Sequence, residues 1–264
     1  MTAPLTIAVV GRKGGAGKTT TTFNLAGALA AQGLRVLMID MDPQASLTGI
    51  FLGERPDRGI STALLDPRAL LDDVIIPVSV GRFDHLVALV PGDRGIESAA
   101  DKLAERSSGF TRLRKLLAPL VDAAPARVDA VVIDTPPALG FAISAALRAA
   151  RLAVVPTLTG QHDLDAMVDT VDLVEDEHEE GGARLAAVVP CAVHARELHD
   201  RGALHALTAS YGALVTAFVP YSPRVRESLA AHIPMVTYDP TSRAAEAYGA
   251  LATHLRARSA VGGA

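Results

Sequence analysis

The sequence is poor in the residues that cross-link small secreted folds or bind metal clusters. It has one cysteine, Cys191, and no tryptophan, and aromatic residues make up 4% of the chain. A single cysteine excludes an internal disulfide, a four-cysteine zinc site and a cluster held by a cysteine pair. We therefore expect Cys191 to be a small buried residue rather than a ligand.

Long apolar runs are also missing. None reaches the roughly 20 residues that a helix needs to cross a bilayer. The opening segment MTAPLTIAVVGRKGG does not have the basic stretch followed by a long apolar one that a secretory signal has. These features predict a cytoplasmic protein with no membrane partner.

Positive charge is absent from residues 161–180, which hold nine acidic residues and no lysine or arginine. The formal net charge of the chain is −4, so the remainder is mildly basic. Apolar residues in this stretch are spaced as on one face of a helix, at Leu164, Met167, Val168, Val171 and Val174. The spacing favours an amphipathic helix with a solvated acidic side over a dedicated docking surface.

Short apolar runs alternate with longer helical patterns along most of the chain. Seven runs have the length of buried strands: LTIAVVG, RVLMID, HLVALVPG, VDAVVIDTPP, LAVVPT, RLAAVVP and ALVTAFVP. Continuous apolar strands separated by helices indicate a parallel sheet that is covered on both faces. The sequence therefore predicts an α/β fold with a doubly wound, mostly parallel sheet and helices on both faces.

The length and composition favour one large domain over two small ones. A chain of 264 residues with 49% hydrophobic residues can bury a substantial core. We expect a single domain over residues 1–258 and a flexible tail over residues 259–264. Residues 54–73, with Pro56 and Pro67, are typical of an irregular excursion.

A glycine-rich loop, GRKGGAGKTTTT, lies between the first predicted strand and the first predicted helix. In that position, successive backbone N–H groups and the helix N-terminus can cradle phosphate oxygens. Lys18 would neutralise the β- and γ-phosphates, and the hydroxyl of Thr19 would bind Mg²⁺. The strict G-x-x-x-x-G-K-[ST] pattern is missed by one position, where Arg12 stands. The loop still predicts a nucleotide site.

Three aspartates follow predicted strands at the edge where the phosphate loop lies. RVLMIDMDPQ contains Asp40 and Asp42, and VDAVVIDTPP contains Asp134. A lone aspartate after a strand usually caps a turn or a helix. Together with the loop, Asp134 is suited to hold Mg²⁺ through water, and Asp40 or Asp42 to orient an attacking water. The combination favours a nucleotide hydrolase.

Four segments resemble the ParA branch of the ParA/MinD ATPases, which are P-loop proteins with a deviant Walker A loop K-G-G-x-G-K-[TS]. That loop is found here at residues 13–19. DMDPQASLT resembles the D-x-D-P-Q segment, and VVIDTPPALGFAISAAL the Walker B strand with its Pro-Pro turn and helix. The closing residues from VPYSPRVRESL to YDPTSRAAEAYGALATHL resemble the C-terminal pattern of the family. The likeness covers nearly the whole chain.

The resemblance implies ATP and Mg²⁺ as cofactors, and it implies roles for the loop residues, the three aspartates and two residues near the C-terminus. Lys13 would be the signature lysine, which reaches the phosphates of the other subunit in an ATP-dependent homodimer. Asp42 would orient water, Asp134 would be the Walker B acid, and Asp40 would lie beside the Mg²⁺ shell. The remaining nucleotide contacts would be Gly14, Gly15, Ala16, Gly17, Lys18, Thr19, Thr20, Pro220 and Tyr221. Without a glutamate next to Asp134, hydrolysis is expected to be slow until a partner assists.

The resemblance also implies non-specific binding to double-stranded DNA, a nucleoid location and a ParB-type partner that stimulates hydrolysis. The candidate DNA contacts are Arg196, Arg201, Arg224 and Arg226, supplemented by Arg243. Sequence-independent phosphate binding needs a set of cationic side chains on one face. The alternative is that these arginines are solvated and paired with Glu197, Asp200 and Glu227.

Other functions within the superfamily give competing interpretations. A MinD-like protein would end in a membrane-binding helix, but ATHLRARSAVGGA offers no large apolar face. A positioner of a protein cargo and an ATP-dependent metabolic ligase or synthetase both remain open. The account that the residues favour is an ATPase switch that partitions a chromosome or plasmid.

Overall fold

The computed structural model describes residues 4–106, 108–122, 126–137 and 140–261. Its strands are β1 Leu5–Val9, β2 Val36–Asp40, β3 Ile76–Pro77, β4 Val87–Val90, β5 Ala130–Asp134, β6 Leu152–Thr157 and β7 Arg184–Pro190. Its helices are α1 Lys18–Ala31, α2 Ser46–Leu52, α3 Ile60–Leu65, α4 Ile96–Ala104, α5 Arg112–Val121, α6 Phe141–Ala149, α7 Gln161–Glu179, α8 Leu198–Tyr211, α9 Pro223–Ala230, α10 Met235–Tyr238 and α11 Arg243–Val261.

The strands form one seven-stranded sheet in the order β3-β4-β2-β5-β1-β6-β7. Every pairing is parallel except that of the two-residue β3 with β4. Strand β1 lies between β5 and β6, so the loop that follows it emerges at the middle of the carboxyl edge. The predicted doubly wound, mostly parallel sheet is confirmed.

Two hydrophobic layers cover the sheet because alternate strand residues face opposite sides. Ala8, Leu37 and Val131 belong to the layer formed with α3 to α7. Ile7 and Met38 belong to the layer formed with α1, α2, α10 and α11. All positions of β1, β2, β5 and β6 are buried, which is why these strands read as continuous apolar runs.

Two sequence expectations about local structure are wrong. The run ALVTAFVP is not a strand: it starts with a 3₁₀ turn at Gly212–Leu214 and makes only isolated bridges, Val188 to Val215 and Val193 to Pro220. Two backbone hydrogen bonds also join the run to β7, from the N–H of Thr216 to the carbonyl of Val188 at 3.2 Å and from the N–H of Val219 to the carbonyl of Pro190 at 2.8 Å. The excursion over residues 54–73 contains α3 and a 3₁₀ turn, Leu71–Asp73, so it is only partly irregular.

The predicted helix over the acidic stretch is confirmed as α7. Met167, Val171 and Val174 are buried on its inner face as predicted, but Val168, which was predicted to share that face, is 43% exposed. Helix α11 packs on α1 and continues to Val261. The division into a domain and a flexible tail stays a prediction, and residues 262–264 lie outside the described residues. None of the described helices is long and apolar enough to cross a membrane.

Candidate nucleotide site

The glycine-rich loop connects the end of β1 to the first turn of α1 at the centre of the sheet edge. Gly15 and Gly17 have φ angles of +77° and +94°, in the left-handed region that glycine adopts without strain. A Cβ on Gly14 or Gly15 would meet no atom within 4 Å, so the space beside these two glycines is open. Gly17 caps α1 without a side-chain hydrogen bond, which leaves the first N–H groups of the helix for an anion.

Lys18 lies across this loop. Its Nζ donates to the carbonyl oxygen of Lys13 at 3.0 Å, and the residue is only 7% exposed. Burial lowers the pKa of Lys18, while the nearby carboxylates of Asp134 and Asp42 act in the opposite direction. The lysine is therefore held in the loop beside acidic groups, where incoming phosphate oxygens could replace the carbonyl as its partner.

Asp40 and Asp134 end two neighbouring strands and stand opposite each other in the β2–β5 register. Both are fully buried, and Asp42 is 8% exposed beside them. Burial, followed by the charge of Asp40, raises the pKa of Asp134 to about 8. Burial also raises the pKa of Asp40 to about 6. The sheet thus brings the three predicted carboxylates together, as the parallel topology requires.

The Asp134 carboxylate has an unused acceptor at the bottom of the site. Its Oδ1 accepts from the hydroxyl of Thr22 at 3.3 Å, but its buried Oδ2 has no hydrogen-bond partner. A buried oxygen without a partner is costly unless a cation or water satisfies it. Carboxylate and hydroxyl oxygens are the ligands that Mg²⁺ prefers, so Asp134, through water, and Thr19 fit a magnesium ion. That ion would neutralise phosphate charge during hydrolysis.

The oxygens of Asp40 are already engaged by the protein. Oδ1 accepts from the N–H of Asp42 at 3.1 Å, and Oδ2 accepts from the N–H and the hydroxyl of Thr48 at 2.8 and 2.7 Å. Its predicted place beside the Mg²⁺ shell stays a prediction. What the contacts establish is that Asp40 holds the segment that carries Asp42. Sequence reasoning missed Thr48, although its place in the DMDPQASLT segment was the available signal.

Lys13 points away from the loop, towards α7. Its Nζ lies 2.7 Å from Oδ1 of Asp163, and its side chain is 40% exposed. Arg12 makes a similar contact with Asp169 at 2.9 Å. Sequence reasoning noticed the acidic stretch but took it for a solvated face, so it missed that the first turns of α7 bind the loop's two outer cations.

A cavity of about 240 Å³ adjoins the loop on the α9 side. Pro220 and Tyr221, the predicted base contacts, line it, as do the loop and helix residues Gly15, Gly17 and Thr20. The sequence did not predict the other lining residues, among them Leu158, Cys191, Val225 and Tyr248. The expectation that Cys191 is buried is confirmed, and burial raises the pKa of its thiol to about 12.

The four candidate DNA-binding arginines lie in different surroundings. Arg196 and Arg201 are exposed, and their guanidinium groups have no ion-pair partner within the described part of the chain. Arg224 is paired with Asp239 at 2.9 Å and stacks on Tyr238. Arg226 lines the cavity of about 240 Å³ beside the loop. DNA contact by any of the four stays a prediction, and Arg196 and Arg201 are the ones left free for it.

With this geometry established, comparison with known proteins decides the family. The family described as an AAA domain matches residues 5–181. The sporulation initiation inhibitor protein Soj of Bacillus subtilis is 30% identical over 257 residues, which cover 95% of this chain and 98% of Soj. The chain belongs to the ParA/MinD superfamily of ATPases. It is accordingly an ATPase, and ATP and Mg²⁺ are its cofactors.

Two further relatives in this superfamily have other functions in their names. The maintenance of carboxysome distribution protein A of Synechococcus elongatus is 37% identical over 175 residues, 66% of each chain. The structure of cobyrinic acid a,c-diamide synthase from Mycobacterium smegmatis, with bound ADP and magnesium, is 25% identical. It superimposes with a TM-score of 0.79 and covers 99% of this chain and 97% of its own. Membership of the superfamily therefore does not by itself fix the cargo.

Proposed function

We propose that this ATPase is a dimerising switch that binds DNA non-specifically in its ATP state and partitions a chromosome or plasmid. The observation that carries the proposal is the direction of Lys13. Lys18 already occupies the loop, whereas Lys13 leaves it and is 40% exposed. A second lysine that does not serve its own loop is suited to the phosphates of a second subunit.

The dimer would form because the γ-phosphate of ATP carries more negative charge than Lys18 and one Mg²⁺ neutralise. A lysine contributed by the partner subunit compensates that charge in a water-poor interface, where a charged hydrogen bond is strong. Hydrolysis and phosphate release then remove the group that Lys13 contacts. The assembled state therefore lasts only as long as the ATP.

Hydrolysis itself is assigned to Asp42, which would orient the attacking water opposite the γ-phosphate. Its Oδ1 accepts from the N–H of Gln44 at 2.8 Å. Burial lowers the pKa of Lys18 in the loop, and the charge of Asp42 acts on that lysine in the opposite direction. No glutamate stands beside Asp134 to act as a second base, so turnover is expected to be slow. A ParB-type centromere-binding partner would accelerate it and so release the protein from DNA.

DNA binding would use exposed cations on the α8 side of the molecule. Arg196 lies in the turn before α8 and Arg201 in the first turn of that helix, and both are exposed and available to contact phosphates. Two arginines on each subunit form a larger cationic surface only when two copies are joined, which would make DNA binding depend on ATP. This arrangement supports nucleoid association of the ATP-bound protein.

The test is binding to a random-sequence duplex with ADP, with ATP and with ATP in the Asp42→Ala variant, over a salt series. We expect binding with ATP alone, stronger binding by the Asp42→Ala variant, and a steep loss of affinity with salt. The Arg196→Ala/Arg201→Ala variant should bind at least about tenfold more weakly, since each phosphate contact is largely electrostatic. Arg114→Ala is the control, since Arg114 is an exposed helical arginine on α5, which packs on α3 and α6.

A positioner of a protein cargo is the second candidate, and the carboxysome relative supports it. That function needs the same ATP-dependent dimer and DNA binding, so it differs only in the partner recruited. An ATP-dependent ligase is the third, supported by a cavity of about 470 Å³ near Asp42 that Gln44, Arg55 and Arg94 line. A confirmed ATP dimer without DNA binding in any nucleotide state would contradict both the partitioning switch and this positioner, and would favour the ligase.

A further inference from the structure

Thr48 lies at the centre of a buried hydrogen-bond chain behind the site. The residue belongs to α2 and is fully buried. Its hydroxyl accepts from the N–H of Gly92 at 2.7 Å and donates to Oδ2 of Asp40 at 2.7 Å. Its own N–H donates to the same carboxylate oxygen at 2.8 Å. One side chain therefore joins the segment after β4 to the end of β2.

Asp40 passes this connection on to Asp42. The other oxygen of the Asp40 carboxylate, Oδ1, accepts from the N–H of Asp42 at 3.1 Å. Both oxygens of Asp40 are thus committed to the chain segment that contains Asp42 and Thr48. A displacement of the Asp40 side chain would therefore shift the backbone of Asp42, because the two are joined by this hydrogen bond and separated by one residue, Met41.

The surroundings leave Asp40 little freedom to move. A Cβ at Gly92 would lie 3.1 Å from Cγ of Asp40 and 3.2 Å from Cβ of Ala45. Ala45 has a φ of +51°, a left-handed conformation that non-glycine residues avoid and that persists where the surrounding structure fixes it. Gly92 itself is followed by the buried Asp93, whose oxygens accept from the N–H groups of Gly95 and Ser61 at 2.7 and 3.0 Å.

We propose that Thr48 is a positioning residue for ATP hydrolysis, which sets the place of Asp42 through Asp40 and is itself set by the Gly92 N–H. The inference deepens the proposed function, because it rests on the assignment of Asp42 as the water-orienting group. Because Thr48 is fully buried and bonded to Asp40 and Gly92, it would act through Asp40 and not on the reacting atoms. Its hydroxyl acts because it is donor and acceptor at once, and no apolar side chain of the same shape can do both.

The primary variant is Thr48→Val, which keeps the shape and removes the hydroxyl, compared with Thr48→Ser, which keeps the hydroxyl. Single-turnover ATP hydrolysis should fall by about 10- to 100-fold in Thr48→Val, since small misplacements of a catalytic group have effects of that order. Affinity for a fluorescent ADP analogue should change by less than about threefold, because the loop and the base cavity are untouched. Thr48→Ser should recover hydrolysis to within about threefold of the wild-type rate.

Thr6→Val is the matched control for the loss of a buried hydroxyl. Thr6 is 5% exposed, and its Oγ1 accepts from the N–H of Arg151 at 3.0 Å, near the amino end of β1. Removing that hydroxyl should lower the melting temperature without changing the hydrolysis rate. A general loss of stability is thereby separated from a loss of positioning.

A second variant keeps the proposal testable if Thr48→Val does not fold. Gly92→Ala adds a methyl group against Asp40 and Ala45, so it should slow hydrolysis while nucleotide affinity is retained. Gly49→Ala in the same helix as Thr48 is its control, because a Cβ there meets no atom within 4 Å. It should hydrolyse ATP at the wild-type rate.

The Asp42→Asn variant distinguishes the two ways in which the inference can fail. If Asp42→Asn abolishes hydrolysis while Thr48→Val and Gly92→Ala keep wild-type rates, the positioning role of Thr48 is wrong and the proposed function stands. If Asp42→Asn hydrolyses ATP normally, the assignment of Asp42 is wrong and the inference falls with it. Loss of rate in Thr48→Val with recovery in Thr48→Ser supports both.

Discussion

The ammonium group of Lys13 lies 2.7 Å from Oδ1 of Asp163, so the lysine assigned to a second subunit is held within its own chain. The pair links the phosphate loop to the first turn of α7, next to the contact between Arg12 and Asp169. In an ATP dimer of the proposed kind, Lys13 has to leave Asp163 for a phosphate. The ion pair therefore opposes assembly until ATP offers a stronger partner.

Asp163→Asn should make assembly easier, because it removes the charge that holds Lys13 and keeps the side-chain size. An ion pair in which Lys13 is 40% exposed contributes on the order of 0.2–1 kcal/mol, so the ATP-analogue concentration at half-dimerisation should fall by about 1.4- to fivefold. Analytical ultracentrifugation across a titration of the analogue measures this.

Asp172→Asn serves as the control for a lost charge on the same helix, since Asp172 is exposed on α7. It should dimerise as the wild type does. An Asp163→Asn titration that matches both would show that the pair does not restrain Lys13.

The stability of the nucleotide-free protein should decrease as pH rises. Burial raises the pKa of Asp134 to about 8 and that of Asp40 to about 6, whereas an unfolded aspartate titrates near 3.9. The folded state binds the proton more tightly, so this stabilisation is complete below about pH 4 and is lost as pH rises through the folded pKa values. Melting temperatures between pH 5 and 9 measure the effect.

Asp134→Asn should flatten that pH dependence and raise the melting temperature at pH 9 by about 4 °C or more, because each kcal/mol corresponds to about 2–4 °C in a domain of this size. The same variant should lose Mg²⁺-dependent hydrolysis. If the melting temperature of Asp134→Asn changes with pH as steeply as that of the wild type, the raised pKa of Asp134 is not the cause of the pH dependence.

The single cysteine reports occupancy of the base cavity. Cys191 lines that cavity, and because burial raises its pKa to about 12, alkylation should be slow near neutral pH and accelerate about tenfold per pH unit. Mg-ADP should slow labelling at pH 9 by about tenfold or more, as followed by intact-protein mass spectrometry. The Lys18→Ala variant, which should not bind nucleotide, should show no protection. If Mg-ADP does not change the rate of Cys191 alkylation in the wild-type protein, the base binds elsewhere.

Much of this architecture follows from the sequence for physical reasons. Strands buried on both faces appear as continuous apolar runs, and parallel strands bring their carboxyl ends to one edge, so the meeting of the loop with Asp42 and Asp134 could be predicted. The glycines of the loop indicated where the backbone turns, and Gly15 and Gly17 do have positive φ values.

Contacts that depend on how helices pack could not be predicted. Lys13 and Asp163 are 150 positions apart, and only the docking of α7 brings them together. The orientation of α9 turns Arg226 towards the nucleotide cavity and Arg224 towards Asp239, although both had the same predicted role. ALVTAFVP has the composition of a strand, but it makes only isolated bridges, to Val188 and Val193.

The central claim is that ATP joins two copies through Lys13, and sedimentation velocity tests it most directly. The proteins to compare are Asp42→Ala, in which ATP persists, and Asp42→Ala/Lys13→Ala, each with ADP and with Mg-ATP. We predict a dimer for Asp42→Ala with Mg-ATP alone and a monomer for the double variant, which still binds ATP. A dimer of the double variant at the same ATP concentration would contradict the account.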